Sequence, residues 1–205
     1  MSFWVNCYKV MTMTVKEMNI SERVTQEFGS VPEPDISLVI ANPYIYKQSS
    51  IEILKYFVNV KKMPGVYVTV NMPYESVRQS LADAGIDTRM IIFVDAITKT
   101  VGGNVDKVNG CFFLNRINDL TDMAVAISNA IQAISTDNKF IMLDSVSTLL
   151  IYNNNTSVSK FIHFLTGKMR MWKMNGILLS LSTVNDTDFL SQLTLFCDRR
   201  IELDN

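Results

Sequence analysis

Short apolar runs alternate with longer amphipathic stretches along most of this chain, and this alternation restricts the fold more than any other feature. Most of the runs are apolar at every position, which is typical of strands buried on both faces of a parallel sheet. The stretches between them carry apolar residues at helical spacing. We therefore predict an α/β fold of three layers, with a mostly parallel central sheet flanked by helices. The predicted strands are 36–41, 66–71, 90–96, 111–115, 140–143, 177–181 and 200–203, and the predicted helices are 49–62, 74–84, 120–134, 157–173 and 188–195.

The length and composition favour a single core. The chain has 205 residues, of which 48% are hydrophobic, and one domain of this size buries a sizeable apolar interior. We predict a leader segment over residues 1–34, with a short helix at 21–28, followed by one domain over residues 35–205. The leader opens on the apolar run Phe3-Trp4-Val5, which must pack either on its own domain or on a partner. The polar segment 98–110 is predicted to be a flexible insertion.

Charge and cysteine content exclude several classes of function. The 19 basic and 20 acidic residues give a net charge of −1, so we expect no binding to nucleic acid, which usually requires a basic face. Three widely spaced cysteines, Cys7, Cys111 and Cys197, form neither a disulfide framework nor a metal-binding pair. The first residues lack the features of a secretory signal, and no apolar run is long enough to span a membrane. We expect a cytoplasmic protein that does not bind membranes.

The segment Ala41 to Gln48 stands where a phosphate-binding loop would stand, between the first predicted strand of the domain and a helix. Such a loop needs glycines that let backbone N–H groups turn toward phosphates, then a lysine, then a serine or threonine that reaches Mg²⁺. Lys47 occupies the lysine position. The other positions are changed, with Ala41, Tyr44 and Tyr46 in place of the glycines and Gln48, followed by Ser49, in place of the hydroxyl residue. The position indicates a nucleotide-binding fold, whereas the residues indicate an altered or lost site.

The order of these segments resembles the core of the KaiC-like branch of the RecA-type ATPases. A strand, the loop with Lys47 and a helix are followed by the apolar strand 65–70 and, much later, by 140–145, which ends in Asp144-Ser145. The segments 176–181 and 196–203 resemble the closing strands of that family. The resemblance covers residues 30–205 and implies a RecA-like P-loop NTPase fold with a degenerate phosphate-binding motif.

The same resemblance implies roles for the residues that end two strands. Asp144 matches the carboxylate that holds Mg²⁺ through water in this family, and Ser145 follows it as a small hydroxyl residue. Asn71 and Met72 occupy the positions of an acidic pair that prepares the attacking water. Asparagine orients a water but accepts no proton, and methionine does neither. We therefore predict no catalytic residue.

Lys47 and Asp144 each allow two interpretations. Lys47 either bridges phosphates or lies on the surface at the start of a helix. Asp144 either binds Mg²⁺, which requires a bound nucleotide, or hydrogen-bonds to neighbouring amides at the edge of the sheet. If a nucleotide binds, its site comprises Ala41, Tyr44, Tyr46, Lys47, Gln48, Ser49, Asp144 and Ser145.

Three functions remain open at this stage. The favoured one is a catalytically silent KaiC/RecA-like domain that serves as a regulatory, signalling or assembly module by binding a protein partner or by forming a homo-oligomer. The first alternative is a slow nucleotide-dependent switch that uses Lys47 and Asp144 with ATP and Mg²⁺. The second alternative is a small-molecule site at the carboxyl ends of the strands. The favoured function requires no cofactor.

Overall fold

The computed structural model describes residues 18–103, 105, 107–182 and 187–203. The apolar run Phe3-Trp4-Val5 and Cys7, for which the sequence makes specific predictions, lie outside this range. Within the described residues, no helix is both long enough and apolar enough to cross a membrane.

In the part of the chain that the structure describes, seven α-helices and seven strands follow one another in the order that the sequence pattern predicts, with one addition. The helices are α1 (Ile20–Gly29), α2 (Tyr46–Lys55), α3 (Tyr74–Asp83), α4 (Leu120–Gln132), α5 (Val146–Tyr152), α6 (Asn155–Met171) and α7 (Thr187–Thr194). The strands are β1 (Ile36–Ala41), β2 (Gly65–Thr69), β3 (Ile91–Asp95), β4 (Cys111–Phe113), β5 (Phe140–Asp144), β6 (Asn175–Leu181) and β7 (Arg199–Leu203).

All seven strands form one parallel sheet in the order β4-β3-β2-β5-β6-β1-β7. The central strands β1, β2 and β5 are buried at every position, which explains why their sequences are continuously apolar rather than alternating. The predicted three-layer α/β fold is thereby confirmed.

Helices cover both faces of the sheet, and alternate residues of each strand point into different cores. On one face α1, α2 and α3 pack over side chains such as Val39 and Tyr67. On the other face α4, α5, α6 and α7 pack over side chains such as Leu38 and Val68. This alternation follows from the two-residue period of a strand. Because every strand pairing is parallel, every strand ends at the same edge of the sheet.

Two local features differ from the sequence-based prediction. The helix α5 follows β5 directly and was not predicted, because its seven residues are too few to show a helical period. The helix predicted from residue 49 begins at Tyr46 instead, and after Lys55 it continues as a π-helical turn over Tyr56–Val60. Tyr46, Lys47 and Gln48 are therefore residues of the first turn of α2.

The helix α1 lies within the segment predicted as a leader, and it packs onto the domain core. Val24 and Phe28 are buried against the face that α2 covers. The guanidinium of Arg199 lies 5.1 Å from the centre of the Phe28 ring. Its Nε also donates to Asp35 Oδ2 at 2.9 Å. These contacts join α1 and β7 to the start of β1.

Glycine substitutions test how tightly the sheet packs. A β-carbon at Gly65 would collide with the fully buried ring of Phe140 on the neighbouring strand. We expect Gly65→Ala to lower the free energy of unfolding by about 1–3 kcal/mol, the usual cost of overpacking a core. The matched control is Gly167→Ala within α6, where an added β-carbon meets open space. That change should raise stability by up to about 1 kcal/mol because alanine favours the helix. Urea denaturation measures both, and equal effects would contradict the described packing.

Candidate functional site

The candidate site lies at the carboxyl edge of the sheet, where β1, β2 and β5 end. Asp144 is the last residue of β5 and is paired in register with Thr69, the last residue of β2. Asn71 lies just beyond β2, and α2 begins at Tyr46, shortly after β1 ends at Ala41. Ligands of parallel α/β sheets bind at this edge. The structure thus brings together the loop and the strand ends that the sequence singles out.

Four side chains hold the carboxylate of Asp144, and we call these five residues the Asp144 cluster. The Tyr46 hydroxyl and Asn71 Nδ2 donate to Oδ1, the latter at 2.8 Å. The Tyr67 hydroxyl and Ser50 Oγ donate to Oδ2, the latter at 3.2 Å. A carboxylate offers about four lone-pair positions to donors. Donors from the protein itself therefore match the full acceptor capacity of Asp144, which is only 7% exposed.

Local geometry explains how these donors meet. Tyr46 and Ser50 are four residues apart on α2, so their side chains lie on the same face of the helix. Tyr67 points from β2 toward the face of the sheet that α2 covers. Its hydroxyl lies 3.4 Å from Ser50 Oγ. Asn71 reaches Asp144 from just past the end of β2. The Asp144 cluster therefore joins α2, β2 and β5 at one point.

Hydroxyl groups of α5 extend this network on the far side of Asn71. Ser145, joined to Asp144 by a cis peptide bond, caps the start of α5 by accepting from the Thr148 amide at 3.3 Å. Its Oγ also lies 2.9 Å from Ser147 Oγ. The Thr148 hydroxyl donates to Asn71 Oδ1. Ser145, the predicted companion of Asp144, is thus a fully buried capping residue.

Both phenols of the Asp144 cluster have strongly raised pKa values. Burial is the largest cause of the raised pKa of Tyr46, and the negative charge of Asp144 raises this pKa further. The same two causes, in the same order, raise the pKa of Tyr67. An ionised phenol beside a carboxylate would place two negative charges together in a poorly solvated position. Both phenols therefore remain protonated donors at neutral pH.

The loop between β1 and α2 uses its own amides. Asn42 N donates to the Leu203 carbonyl at 3.2 Å, and Tyr44 N donates to Asn42 Oδ1 at 3.0 Å. Ile45 N donates to the Asn42 carbonyl at 3.1 Å, while Pro43 has no N–H group. A phosphate cradle needs several loop amides that point inward at the ligand. In this loop each amide already has an acceptor within the protein.

The two tyrosines of the loop occupy different environments. Tyr46 lies in the Asp144 cluster, whereas Tyr44 is 93% exposed. Of these two rings, only that of Tyr46 therefore fills space beside Asp144. Lys47 and Gln48 are exposed, and Ser49 is fully buried with no hydrogen-bond partner for its hydroxyl among the described residues.

Sequence reasoning missed Ser50 and Tyr67 as members of the site. The signal for Ser50 was its spacing of four residues from Tyr46. Tyr67 lies two residues before Thr69 on a strand that neighbours β5, so it shares a sheet face with Thr69. Its sequence neighbours are apolar, and a tyrosine in such a run is typically predicted to be a core residue. Only the pairing of β2 with β5 shows that its hydroxyl reaches a carboxylate.

A small cleft lies beside the Asp144 cluster. Its volume is about 100 Å³, and its walls include Ile51, Met72, Val77 and Leu81. Sites for drug-sized ligands usually measure about 300–1,000 Å³. The cleft is therefore too small for a nucleotide as the side chains stand.

The described cysteines do not provide an alternative chemistry. Burial raises the pKa of the Cys197 thiol to about 12 and raises the pKa of Cys111 still further. Both thiols therefore stay protonated at neutral pH, and a thiol is a poor nucleophile compared with a thiolate. Among the described residues, no group of His, Cys, Asp and Glu side chains is arranged to hold a metal ion.

Comparison with known proteins identifies the fold and a sequence family. The sequence model of a family of unknown function (DUF7504) matches residues 66–203. No curated protein sequence matches the chain. Among solved structures, a KaiC-like protein, PH0186, from the hyperthermophilic archaeon Pyrococcus horikoshii OT3 is similar with a TM-score of 0.62 at 14% identity, covering 86% of this chain and 75% of that one.

Two further solved structures, both from Pyrococcus horikoshii, are also similar to this chain. The uncharacterized protein PH0321, solved in complex with an unknown peptide, has a TM-score of 0.66 at 14% identity and covers 88% of this chain and 82% of that one. The match to the protein PH0250 has a TM-score of 0.60 at 15% identity and covers 89% of this chain and 88% of that one. At these identities the likeness establishes a KaiC-like RecA-type fold.

The Asp144 cluster predicts a measurable loss of stability when one donor is removed. Tyr67→Phe should lower the free energy of unfolding at neutral pH by about 1.5–3 kcal/mol, the usual value of a hydrogen bond to a charged group. Tyr44→Phe is the matched control, because the Tyr44 side chain is exposed, and it should change stability by less than about 0.5 kcal/mol. Urea denaturation of both variants provides the comparison. Equal small effects would show that the Tyr67 hydroxyl does not hold Asp144.

The raised pKa values also predict alkaline instability. Unfolded tyrosine titrates near about pH 10, and folded Tyr46 and Tyr67 titrate higher. Below about pH 10 both states keep these protons, and the contribution of the phenols to the free energy of unfolding is fully present. Above that pH the unfolded chain loses protons that the folded chain keeps, so the free energy of unfolding falls as the pH rises. Each phenol contributes a slope of up to about 1.4 kcal/mol per pH unit. Tyr46→Phe and Tyr67→Phe should each flatten the measured profile, whereas an unchanged slope in both would contradict the assignment.

Proposed function

The chain belongs to a family of unknown function (DUF7504), and we propose that this KaiC-like RecA-type domain is catalytically silent and acts by binding another protein. The observation that carries the proposal is the Asp144 cluster. In an ATPase of this fold the carboxylate at this position must be available to a hydrated Mg²⁺. Here its two oxygens each receive two hydrogen bonds from the protein. Coordination of Mg²⁺ would require the cluster to open.

Two further defects support a silent site. The loop before α2 has no free amide for a phosphate, because Asn42, Tyr44 and Ile45 donate within the protein and Pro43 has no N–H group. The positions of the acidic pair hold Asn71 and Met72. Asn71 is itself engaged with Asp144 and Thr148. The phosphate, metal and water subsites are thus altered separately, and the residues present do not fit Mg²⁺ with ATP.

Exposed apolar side chains support the protein-binding half of the proposal. Phe164 and Met171 are 48% and 73% exposed and lie seven residues apart on α6, so they share one face of that helix. Exposed apolar surface that lies together commonly marks an interaction site. In addition, PH0321 was solved with a peptide bound, so a protein of this fold accommodates a peptide. We propose the same class of partner for this chain, namely another polypeptide.

Nucleotide titration decides between this function and the nucleotide-switch alternative. The first-turn amides of α2, at Tyr46 to Gln48, have no acceptor within the helix, as at any helix start, and Lys47 is exposed beside them. These groups are what a divergent nucleotide site would use. We expect no heat on titration of the protein with ATP and Mg²⁺, and no rise in melting temperature. Bound ligand at 100 times its dissociation constant would instead stabilise the fold by about 2.7 kcal/mol.

The control for this titration is Lys47→Ala, which should fold with unchanged stability because the side chain is exposed. Heat in the wild type that disappears in Lys47→Ala would establish the nucleotide switch and refute the silent domain. Heat that persists in the variant would also refute it and would place the nucleotide away from the loop. The absence of heat in both proteins is the predicted result.

A further inference from the structure

A groove on the opposite face of the sheet from α2 offers a specific binding surface. It lies between the first half of α4 and the first half of α6, and its volume is about 670 Å³. This is several times the volume of the cleft beside the Asp144 cluster and lies within the range of ligand sites, about 300–1,000 Å³. We call it the α4–α6 groove. None of its lining residues belongs to the Asp144 cluster.

Apolar side chains line one part of this groove. Leu120 and Ala124 come from α4, and Phe161 and Phe164 come from α6. Phe161 is 6% exposed and belongs to the core, whereas Phe164 is 48% exposed. A large aromatic ring at the edge of a groove is the kind of residue that anchors interfaces. The groove therefore has room and apolar surface for at least one bulky side chain of a partner.

Basic side chains also line the groove or lie near it. Arg116 and Lys160 line the groove, and the Lys168 ammonium lies 5.6 Å from the centre of the Phe164 ring. None of these three cations forms an ion pair with any residue that the structure describes. One carboxylate, Asp119, also lines the groove, and it caps α4 by accepting from the Asp122 amide at 2.9 Å. The unpaired cations leave the groove electrostatically suited to an acidic ligand.

We propose that the α4–α6 groove binds a short polypeptide segment in which acidic residues flank a bulky apolar one. The apolar side chain would pack against Phe164, and the carboxylates would pair with Arg116 and Lys160. This proposal rests on the proposed protein-binding function and specifies the chemistry of the partner. Two helices with an apolar seam between them commonly receive such segments.

Charge argues against two other occupants. Residues 1–17 carry two lysines, Lys9 and Lys16, and one glutamate, Glu17, so this segment does not complement a cationic groove. Binding of nucleic acid usually requires basic residues that form a broad positive face. The chain instead has a net charge of −1. An acidic polypeptide satisfies both the charge and the apolar surface.

The first step of the test selects ligands without assuming their sequence. A random 12-residue peptide library displayed on phage is panned against the purified full chain, with Arg116→Glu/Lys160→Glu panned in parallel. We expect wild-type selections to enrich peptides with at least two acidic residues near an aromatic or large aliphatic one, and the double variant to lose this enrichment. Absence of any enriched consensus, or a consensus without acidic residues, would overturn the proposal.

The second step measures affinity for the most enriched peptide by fluorescence anisotropy. Arg116→Glu/Lys160→Glu and Phe164→Ser should each weaken binding at least tenfold, and the affinity of the wild type should fall as salt is added. The matched controls are Lys107→Glu and Leu195→Ser, which make the same kinds of change at exposed positions outside the groove. The proposal would be overturned if the control variants weakened binding as much as the groove variants, or if neither set weakened it. Circular dichroism melting of each variant separates loss of binding from loss of folding.

Three competition measurements distinguish the other occupants. Displacement of the peptide by a synthetic peptide of residues 1–17 would assign the groove to the chain's own leader. Displacement by a 12-nucleotide uridine RNA would assign it to nucleic acid. A dimer seen by light scattering that is lost in Phe164→Ser would assign it to a second copy. Each of these results would overturn the proposal, and none is expected. If the peptide tests fail and ATP produces no heat, the groove proposal is refuted but the proposal of a catalytically silent domain still stands. Heat from ATP refutes the silent domain, whatever the result of the peptide tests.

Discussion

The carboxylate of Asp144 is nearly buried, and the structure around it is arranged to supply its hydrogen bonds. A charge removed from water costs several kcal/mol unless donors replace the lost water. Tyr46 and Ser50 supply donors from α2, while Tyr67 and Asn71 supply donors from β2 and the segment after it. One interaction thus fixes the start of α2, the end of β2 and the end of β5. It also uses the acceptor positions that a metal-dependent nucleotide site would need.

This arrangement accounts for the residues that depart from the ATPase pattern. Tyrosine at position 46 donates a hydrogen bond where a glycine would expose backbone. Asparagine at position 71 bridges Asp144 and Thr148 where an acidic residue would repel Asp144. In this chain the Asp144 carboxylate stabilises the fold by accepting four hydrogen bonds from α2, β2 and the segment after β2. We propose that function resides on another surface, and the α4–α6 groove, which Phe164, Arg116 and Lys160 help to line, is on the other face of the sheet.

The sequence predicts the layers of this fold well, because continuous apolar runs and helical periods are local signals. All seven strands lie where those runs occur. The short helix α5 escaped prediction because it spans only Val146–Tyr152. The site was predicted in position but only partly in composition. Asp144 and Tyr46 were identified, whereas Tyr67 was not, because its contact depends on the register between β2 and β5, which no local pattern encodes. Tyr44 shows the same limit, since its exposure depends on the path of the loop.

The central claim is that the Asp144 carboxylate is closed to a divalent cation. Its most direct test uses Mn²⁺ in place of Mg²⁺, added with ATP, while NMR follows the side-chain amide of Asn71 and the backbone amide of Ser145. Paramagnetic broadening falls steeply with distance, so a bound ion would broaden these two signals first. We predict that they broaden no more than the amide of exposed Lys107. Selective broadening at Asn71 and Ser145 that disappears in Lys47→Ala would show an open, metal-binding site and contradict the account.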